Sequence, residues 1–284
     1  MKHEEICKTL MEIMPHEEFK HNYIENLSLF RTDNSIEKTP SNYSQGIIFV
    51  MQGTKRVYLE KDILTYNANN YLVLSVPLPI ECDVIATPET PVLGMNINIS
   101  SQLINQVMLE TDIMDTQSKL QKGIYSDTIN EDIEDAIYRL VKTFSSKMDM
   151  KILAPLYIKE IIYRVLINQN GKALRMLQYR NQKFCKISKI LDEIHQNYQL
   201  KYDVNELAQE VDMSVSAFHS AFKIITDTSP LQYIKKIKLH KARDLILLNG
   251  YNVSTVAYQV GYESVSQFTR EYKRMFGVTP KQEI

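Results

Sequence analysis

The chain has no tryptophan, and only three cysteines, eight glycines and nine prolines in 284 residues. Each scarcity closes off a class of protein. Cys7, Cys82 and Cys185 lie far apart and none belongs to a Cys-x-x-Cys pair. They supply neither a disulfide framework nor a structural zinc site, and they suit a reducing cytoplasm. Glycine and proline are too sparse for a collagen-like or low-complexity chain. No apolar run reaches the roughly 20 residues that a membrane helix needs. The opening MKHEEICKTL mixes Glu4 and Glu5 with Lys2 and Lys8 where an export signal would be basic and then apolar, which predicts a non-exported, cytoplasmic protein with no membrane partner. Histidine is missing where a metal enzyme would need it: His3, His16, His21, His195, His219 and His240 all fall outside the strand-rich region 27–99. Without two or three converging imidazoles that region does not read as a catalytic metal site, and the expectation is a non-enzyme without metal or cofactor.

What is present is ordinary in amount and uneven in arrangement. A hydrophobic fraction of 44% and a charged fraction of 24% are those of a globular chain, and the length corresponds to one or two domains. The net charge of −1 hides a split: residues 1–171 carry 16 Lys+Arg against 23 Asp+Glu, whereas residues 172–284 carry 17 against 11. Lys172, Arg175, Arg180, Lys183 and Lys186 occupy a stretch with no acid, and Lys235, Lys236, Lys238, Lys241 and Arg243 crowd a second. An acidic front and a basic back suit a protein whose back half meets a polyanion.

The periodicity divides at the same place. From about Leu27 to Ile99 short segments rich in Val, Ile, Leu and aromatics (46–51, 56–60, 71–76, 80–86, 92–99) are separated by turn-type residues, which predicts a small barrel or jelly roll that closes on itself. Beyond it, Ile133, Ile137, Leu140 and Phe144 recur at helical spacing, and a second helix is expected from about Pro155 to Asn168. The stripe Ile133, Ile137, Leu140, Phe144 suits either a cover packed on the protein's own barrel or a dimerisation face, and dimerisation through it is the expectation. Residues 172–186 read as an extended basic linker. Residues 187–284 read as helical throughout, a unit expected to fold alone, with Asp203, Ser214, Asn252 and Ser264 as helix starts, Pro230 in a first turn, and Gly250 and Gly261 at helix ends.

That last third repeats itself. LAQEVDMSVSAFHSAFKIITDTSP and VAYQVGYESVSQFTREYKRMFGVTP align Ala208 with Ala257, Val211 with Val260, Ser214 with Ser264, Phe218 with Phe268, Phe222 with Tyr272 and Pro230 with Pro280. Each copy is a helix bearing a small Ala, a tight turn, and a helix bearing an aromatic pair four residues apart. Helix-turn-helix packing asks for this: the Ala admits close approach, the turn needs a residue tolerant of positive φ, and the aromatic pair locks the second helix. Gly261 fills the second turn; Asp212 stands in the first.

Through Ala257, Gly261, Tyr262, Ser264, Gln267, Phe268, Arg270, Lys273, Phe276, Gly277 and Pro280, the segment 187–284 closely resembles the DNA-binding domain of AraC/XylS-type transcription regulators. Gln52-Gly53-Thr54-Lys55, Tyr71-Leu72, Leu153-Ala154-Pro155-Leu156 and Glu160-Ile161-Ile162-Tyr163-Arg164 resemble the N-terminal domain of one AraC-type branch. The resemblance implies an α+β protein: a cupin-like β-barrel with covering helices over 1–171, a linker over 172–186, and an all-α domain of two helix-turn-helix units joined by a long helix over 187–284. It implies a sequence-specific regulator of transcription, an activator acting with RNA polymerase, that responds to a small-molecule effector or a partner at the barrel; a homodimer is expected as well. A regulator whose barrel only dimerises, and a cupin-type enzyme fused to a DNA-binding domain, are the competing readings.

Helical spacing selects the DNA-reading side chains. With Phe218, Phe222, Phe268 and Tyr272 buried, Ser216, His219, Ser220 and Lys223 turn outward in the first unit, and Ser266, Gln267, Arg270 and Lys273 in the second. Gln267 and Arg270 carry the chemistry suited to adenine and guanine edges. For an effector in the barrel the candidates are Tyr43, Met51, Tyr58, Tyr66, Cys82, Met95, Asn96 and Asn98, an apolar set with a few polar groups. Lys55-Arg56 is the nearest approach to a cationic clamp and is expected to face solvent.

Overall fold

A computed structural model describes residues 2–59, 62–111, 119–178, 183–249 and 252–283. The front half is built from α1 (Lys2–Ile13) and ten strands: β1 (Glu18–Ile24), β2 (Leu27–Thr32), β3 (Ile36–Tyr43), β4 (Gly46–Gln52), β5 (Thr54–Tyr58), β6 (Ile63–Asn67), β7 (Asn70–Leu74), β8 (Leu78–Ile85), β9 (Val92–Asn98) and, after α2 (Ser101–Leu109), β10 (Ile124–Thr128). They form one antiparallel sheet in the order β1-β2-β9-β4-β7-β6-β5-β8-β3, with β10 added to β7. The sheet curls into a half-barrel whose two ends, β1 and β3, do not pair with each other among the described residues. The expected closure is therefore incomplete, and β3 is covered instead by helices of the back half. Gly53, at φ +79°, makes the tight β4–β5 turn; a Cβ there would lie 2.4 Å from the Val92 side chain.

Helices α3 (Glu131–Lys142), α4 (Lys147–Ile152) and α5 (Ala154–Ile167) lie beside the sheet with α1. Asn130 caps α3 by accepting from the Ile133 N–H, and Glu131, Asp132 and Glu134 favour its positive N-terminal end. The stripe expected to mediate dimerisation is spent on this packing: Ile133, Ile137 and Leu140 are wholly buried and Phe144 is 8% exposed, its ring edge-on to Tyr23. Their apolar face meets the protein's own core, so no surface is left on it for a second copy.

The expected extended linker is helical wherever it is described. Alpha-helix α6 (Lys172–Arg175) runs into a 3-10 turn, Met176–Gln178, and α7 (Lys183–Gln196) begins within the same stretch; Arg180 and its neighbours 179–182 lie outside the described residues. Ala173, Leu174, Met176, Leu177 and Phe184 are buried, and Arg175 turns back to donate to the carbonyls of Leu166 and Asn168. The apolar residues between the cations explain the difference: burying them favours a packed helical turn over a solvated strand.

The back half continues with α8 (Val204–Glu210), α9 (Val215–Thr226), α10 (Pro230–Asn249), α11 (Val253–Gln259) and α12 (Val265–Phe276). Asp203, Ser214, Asn252 and Ser264 all cap helices with their side chains, and α10 starts at Pro230; Gly250 lies outside the described residues. The hydrophobic core is not divided at residues 172–186. One cluster runs from α1 through the half-barrel and α5 into α7, α9 and α10 as far as Ile237. A second, smaller one holds Leu239, Ala242, Ile246, Val256, Ala257, Val260, Phe268 and Tyr272. The first helix-turn-helix unit thus shares the half-barrel's core, and the second has its own.

Polar bonds seal that joint. The Tyr233 hydroxyl, wholly buried, donates to the Pro77 carbonyl at 2.7 Å and lies 2.8 Å from His195 Nε2. The Gly123 N–H donates to the Ile225 carbonyl at 2.8 Å, and Lys122 bridges Asp62 and Asp227 at 2.9 and 3.3 Å. Tyr233→Phe leaves the Pro77 carbonyl buried without its donor. It should lower unfolding free energy by about 1–3 kcal/mol and expose the joint to protease, as read by urea denaturation and timed digestion; unchanged stability would show that the hydroxyl does not hold the two halves together.

Candidate nucleic-acid interface and interdomain cleft

The two helix-turn-helix units are built alike. Ala208 and Ala257 are wholly buried where α8 meets α9 and α11 meets α12. Both turns use the left-handed region: Asp212 at φ 49° and Gly261 at φ 81°. A Cβ on Gly261 would stand 2.1 Å from the Gln199 carbonyl oxygen, so the second turn is also sterically reserved for glycine, whereas Asp212 projects into solvent. The aromatic pairs are in contact as the repeat implied, Phe218 tilted against Phe222 at 5.6 Å and Phe268 edge-on to Tyr272 at 5.5 Å between ring centroids. Tyr233 meets Phe222 edge-on, and Tyr262 meets Phe268 edge-on.

Burying those rings turns the opposite faces outward. Ser216, His219, Ser220 and Lys223 on α9 are exposed, as are Ser266, Gln267, Arg270 and Lys273 on α12. Among the described residues no carboxylate holds Arg270. The nearby acids are otherwise engaged: Glu271 pairs with Lys235 at 3.0 Å and accepts from Tyr262, and Glu263 faces Lys201 at 3.4 Å. Gln267 contacts Glu271 only at 3.4 Å. An uncommitted guanidinium beside an amide on one exposed helical face can pair with base edges or phosphates.

The eight candidates for an effector site do not form one site. Tyr43 and Tyr66 join hydroxyls at 3.1 Å, and Cys82 Sγ lies 3.2 Å from Ser41 Oγ in the same region. Asn96 donates to Asn98 at 3.0 Å and keeps its own carbonyl oxygen buried and unpartnered. Met51 and Met95 are buried core residues. Tyr58 points the other way, donating to Asp83 at 2.6 Å on the outer face of the sheet. Lys55 and Arg56 separate by the same alternation. Arg56 pairs outward with Asp83 at 2.5 Å and holds that carboxyl below its ordinary range. Lys55 corrects the expectation of a solvent-facing clamp: it turns inward among Phe30, Tyr43 and Tyr66.

Sequence spacing did not reveal a cleft of about 530 Å³ between the outer face of the half-barrel and the back half. Its barrel wall includes Lys38, Tyr58, Leu59, Pro79, Ile80 and Glu81; its other wall includes Asp227, then Lys235, Lys236, Leu239 and His240 of α10, and Glu271, Arg274 and Met275 of α12. Lys38 is held by Glu81 at 2.6 Å and Lys235 by Glu271, while Lys236 and Arg274 have no carboxylate partner among the described residues. Burial, with Arg243, Lys236 and other cations adding to it, pushes His240 down to about 3, and its Nε2 has no partner. A neutral imidazole, several cations and an apolar floor can hold an acid with an apolar body. These residues come from strands and helices some 200 positions apart, so no local pattern joins them. Among the described residues no group of His, Cys, Asp or Glu could hold a metal ion, and no helix is long and apolar enough to cross a membrane.

Known proteins match both halves. The model of the AraC-type transcriptional regulator N-terminus matches residues 23–173, and that of a helix-turn-helix domain matches residues 207–283. The virulence regulon transcriptional activator VirF of Yersinia enterocolitica is 28% identical over 135 residues, which is 46% of this chain and 48% of VirF, so the chain spans about half the length of that relative. The transcriptional activator CfaD of Escherichia coli is 21% identical over 231 residues, covering 80% of this chain and 84% of CfaD. Crystal structures of ToxT from Vibrio cholerae share the fold over the whole architecture: apo ToxT has a TM-score of 0.60 at 12% identity over 91% of this chain and 97% of ToxT. The unsaturated fatty acid bound form has a TM-score of 0.55 at 12% identity, over 89% and 94%.

Proposed function

The chain belongs to the AraC-type transcriptional regulators, and we propose that it is a cytoplasmic activator that reads duplex DNA with α9 and α12 and answers to an acidic, apolar effector in the interdomain cleft. The observation that carries the DNA reading is the pair of matched recognition helices, each presenting four exposed polar or cationic side chains. Under this reading residues 1–171 sense, residues 187–284 bind DNA, and residues 172–186 join them; the chain works on RNA polymerase, not as an enzyme. The longer, charged set on α12 supplies direct base contacts. The short serines of α9 favour backbone and shape readout. Arg270→Ala should cost about 1–3 kcal/mol of DNA binding and relax preference at particular base pairs, whereas Lys223→Ala should weaken all sequences alike and flatten the salt dependence. Binding across a randomised promoter library decides it, and an Arg270→Ala chain with unaltered preferences removes that residue from the reading set.

The cleft supports the effector class by its lining, and a fatty acid bound to ToxT is consistent with it. Lys236 and Arg274 await an anion, and Leu59, Leu239 and Met275 suit a hydrocarbon chain. A long-chain unsaturated fatty acid should raise the melting temperature of the full chain by several degrees, and Lys236→Glu with Arg274→Glu should abolish the shift. A shift that survives the double substitution would place the ligand elsewhere.

A homodimer belongs to the same proposal, on a different face from the one the helical stripe suggested. Met148, Ile152, Leu156, Tyr163 and Ile167 follow one side of α4 and α5 and are exposed, Leu156 by 59%. An apolar row of this kind suits isologous pairing with a second copy. Leu156→Glu, a change at an exposed site, should leave a folded chain that sediments as a monomer where the unaltered chain sediments as a dimer.

A further inference from the structure

The cleft and the recognition helices leave a lysine amine unused on the opposite, inner face of β5. Lys55 Nζ lies 5.0 Å from the ring centre of Phe30, 5.4 Å from that of Tyr43 and 5.9 Å from that of Tyr66. Among the described residues it has no hydrogen-bond acceptor and no carboxylate partner. Lysine at such depth is ordinarily paired, because an isolated ammonium out of water is costly. Lys55 as a whole residue is half-buried.

We propose that Lys55 is a carbonyl-capture site, whose amine condenses with a small aldehyde entering the half-barrel to form a protonated imine enclosed by the three rings. The rings select this chemistry over plain anion binding. Aromatic faces carry negative charge density, which attracts a cation and repels a carboxylate. An iminium keeps the positive charge that the ammonium had, so the same rings stabilise the product. Burial depresses the amine's pKa, which raises the share of neutral nucleophile near pH 7. The neutral amine adds to the carbonyl carbon, and the carbinolamine oxygen then takes up a proton and leaves as water. Counted from the ammonium, one aldehyde is consumed, one water is released and the net charge is unchanged. Tyr43 and Tyr66, whose hydroxyls lie 3.1 Å apart, supply two of the rings about the amine, and the proton that the departing oxygen takes up replaces the one the ammonium released. Phe30 offers the aldehyde's carbon chain an apolar wall, and exclusion of bulk water slows hydrolysis of the imine.

The test uses the full chain with propanal and cyanoborohydride at pH 7, which reduces an imine to a stable propyl-lysine, followed by peptide mass mapping. Lys55 should be labelled about tenfold faster than exposed lysines such as Lys8 and Lys223. Its rate should saturate with propanal, and the preference should vanish in urea. Phe30→Leu, checked for folding by circular dichroism, should reduce the preference while Lys8 labelling stays constant. Equal rates at Lys55 and Lys8, labelling of Lys55 only after unfolding, or a rate that rises linearly without saturation would each overturn the proposal. Neither propanal binding nor its loss bears on the fatty-acid shift at the cleft, so the two sites fail or stand separately.

Discussion

The buried hydroxyl of Tyr233 governs how this molecule is put together. It reaches out of α10 to the Pro77 carbonyl in the turn before β8, with His195 of α7 on its other side and Phe222 of α9 against its ring. Burial holds His195 at about 4, well below an ordinary histidine, so it stays a neutral partner at physiological pH. A single phenol therefore ties the half-barrel, the first helix of the back half, the first recognition helix and the long connecting helix. The continuous hydrophobic core around it makes the first helix-turn-helix unit an extension of the half-barrel.

The second unit stands differently. It carries its own small core and hangs from the far end of α10, and its side facing the half-barrel is the cleft with its cations. The two recognition helices are thus unequally coupled to the front half: α9 through packed core and buried bonds, α12 through contacts with β3 beside the cavity. A ligand that favours a particular cleft width acts first on α12, the helix with Gln267 and Arg270, since a ligand shifts an equilibrium only through the element it contacts differently in each state. The connector matters here as well. Residues 172–178 pack as helical turns, with Leu174, Met176 and Leu177 in the core that the half-barrel shares with α7.

Strand alternation sorts the cations. Lys55 and Arg56 are adjacent, alike in charge and close in length, yet one lies within three aromatic rings and the other grips Asp83 on the outer face. As neighbours of like charge in the sequence they read as one solvent-facing pair. What distinguishes them is parity along β5, and the inner face is decided by which neighbours curl around it. The candidate effector residues divide for the same reason: Tyr43, Tyr66 and Cys82 share the inner face, Tyr58 the outer, and Met51 and Met95 are consumed by core packing.

The amino-acid sequence alone determined the features whose causes are local. Caps at Asp203, Ser214, Asn252 and Ser264, the positive-φ turns at Asp212 and Gly261, the buried aromatic pairs and the outward faces of α9 and α12 all follow from a few consecutive residues, and the internal repeat stated each of them twice. The strand-rich front half was legible from its alternation, although β1, β3, β6 and β10, with polar or mixed patterns, gave no clear periodic signal. The tertiary structure alone decided the rest. Whether Ile133, Ile137 and Leu140 meet a partner or the protein's own core, whether the core breaks before or within α10, and which lysines face a common cavity depend on elements brought together from distant parts of the chain. Periodicity shows that a helix face is apolar; only the packed structure shows what that face touches.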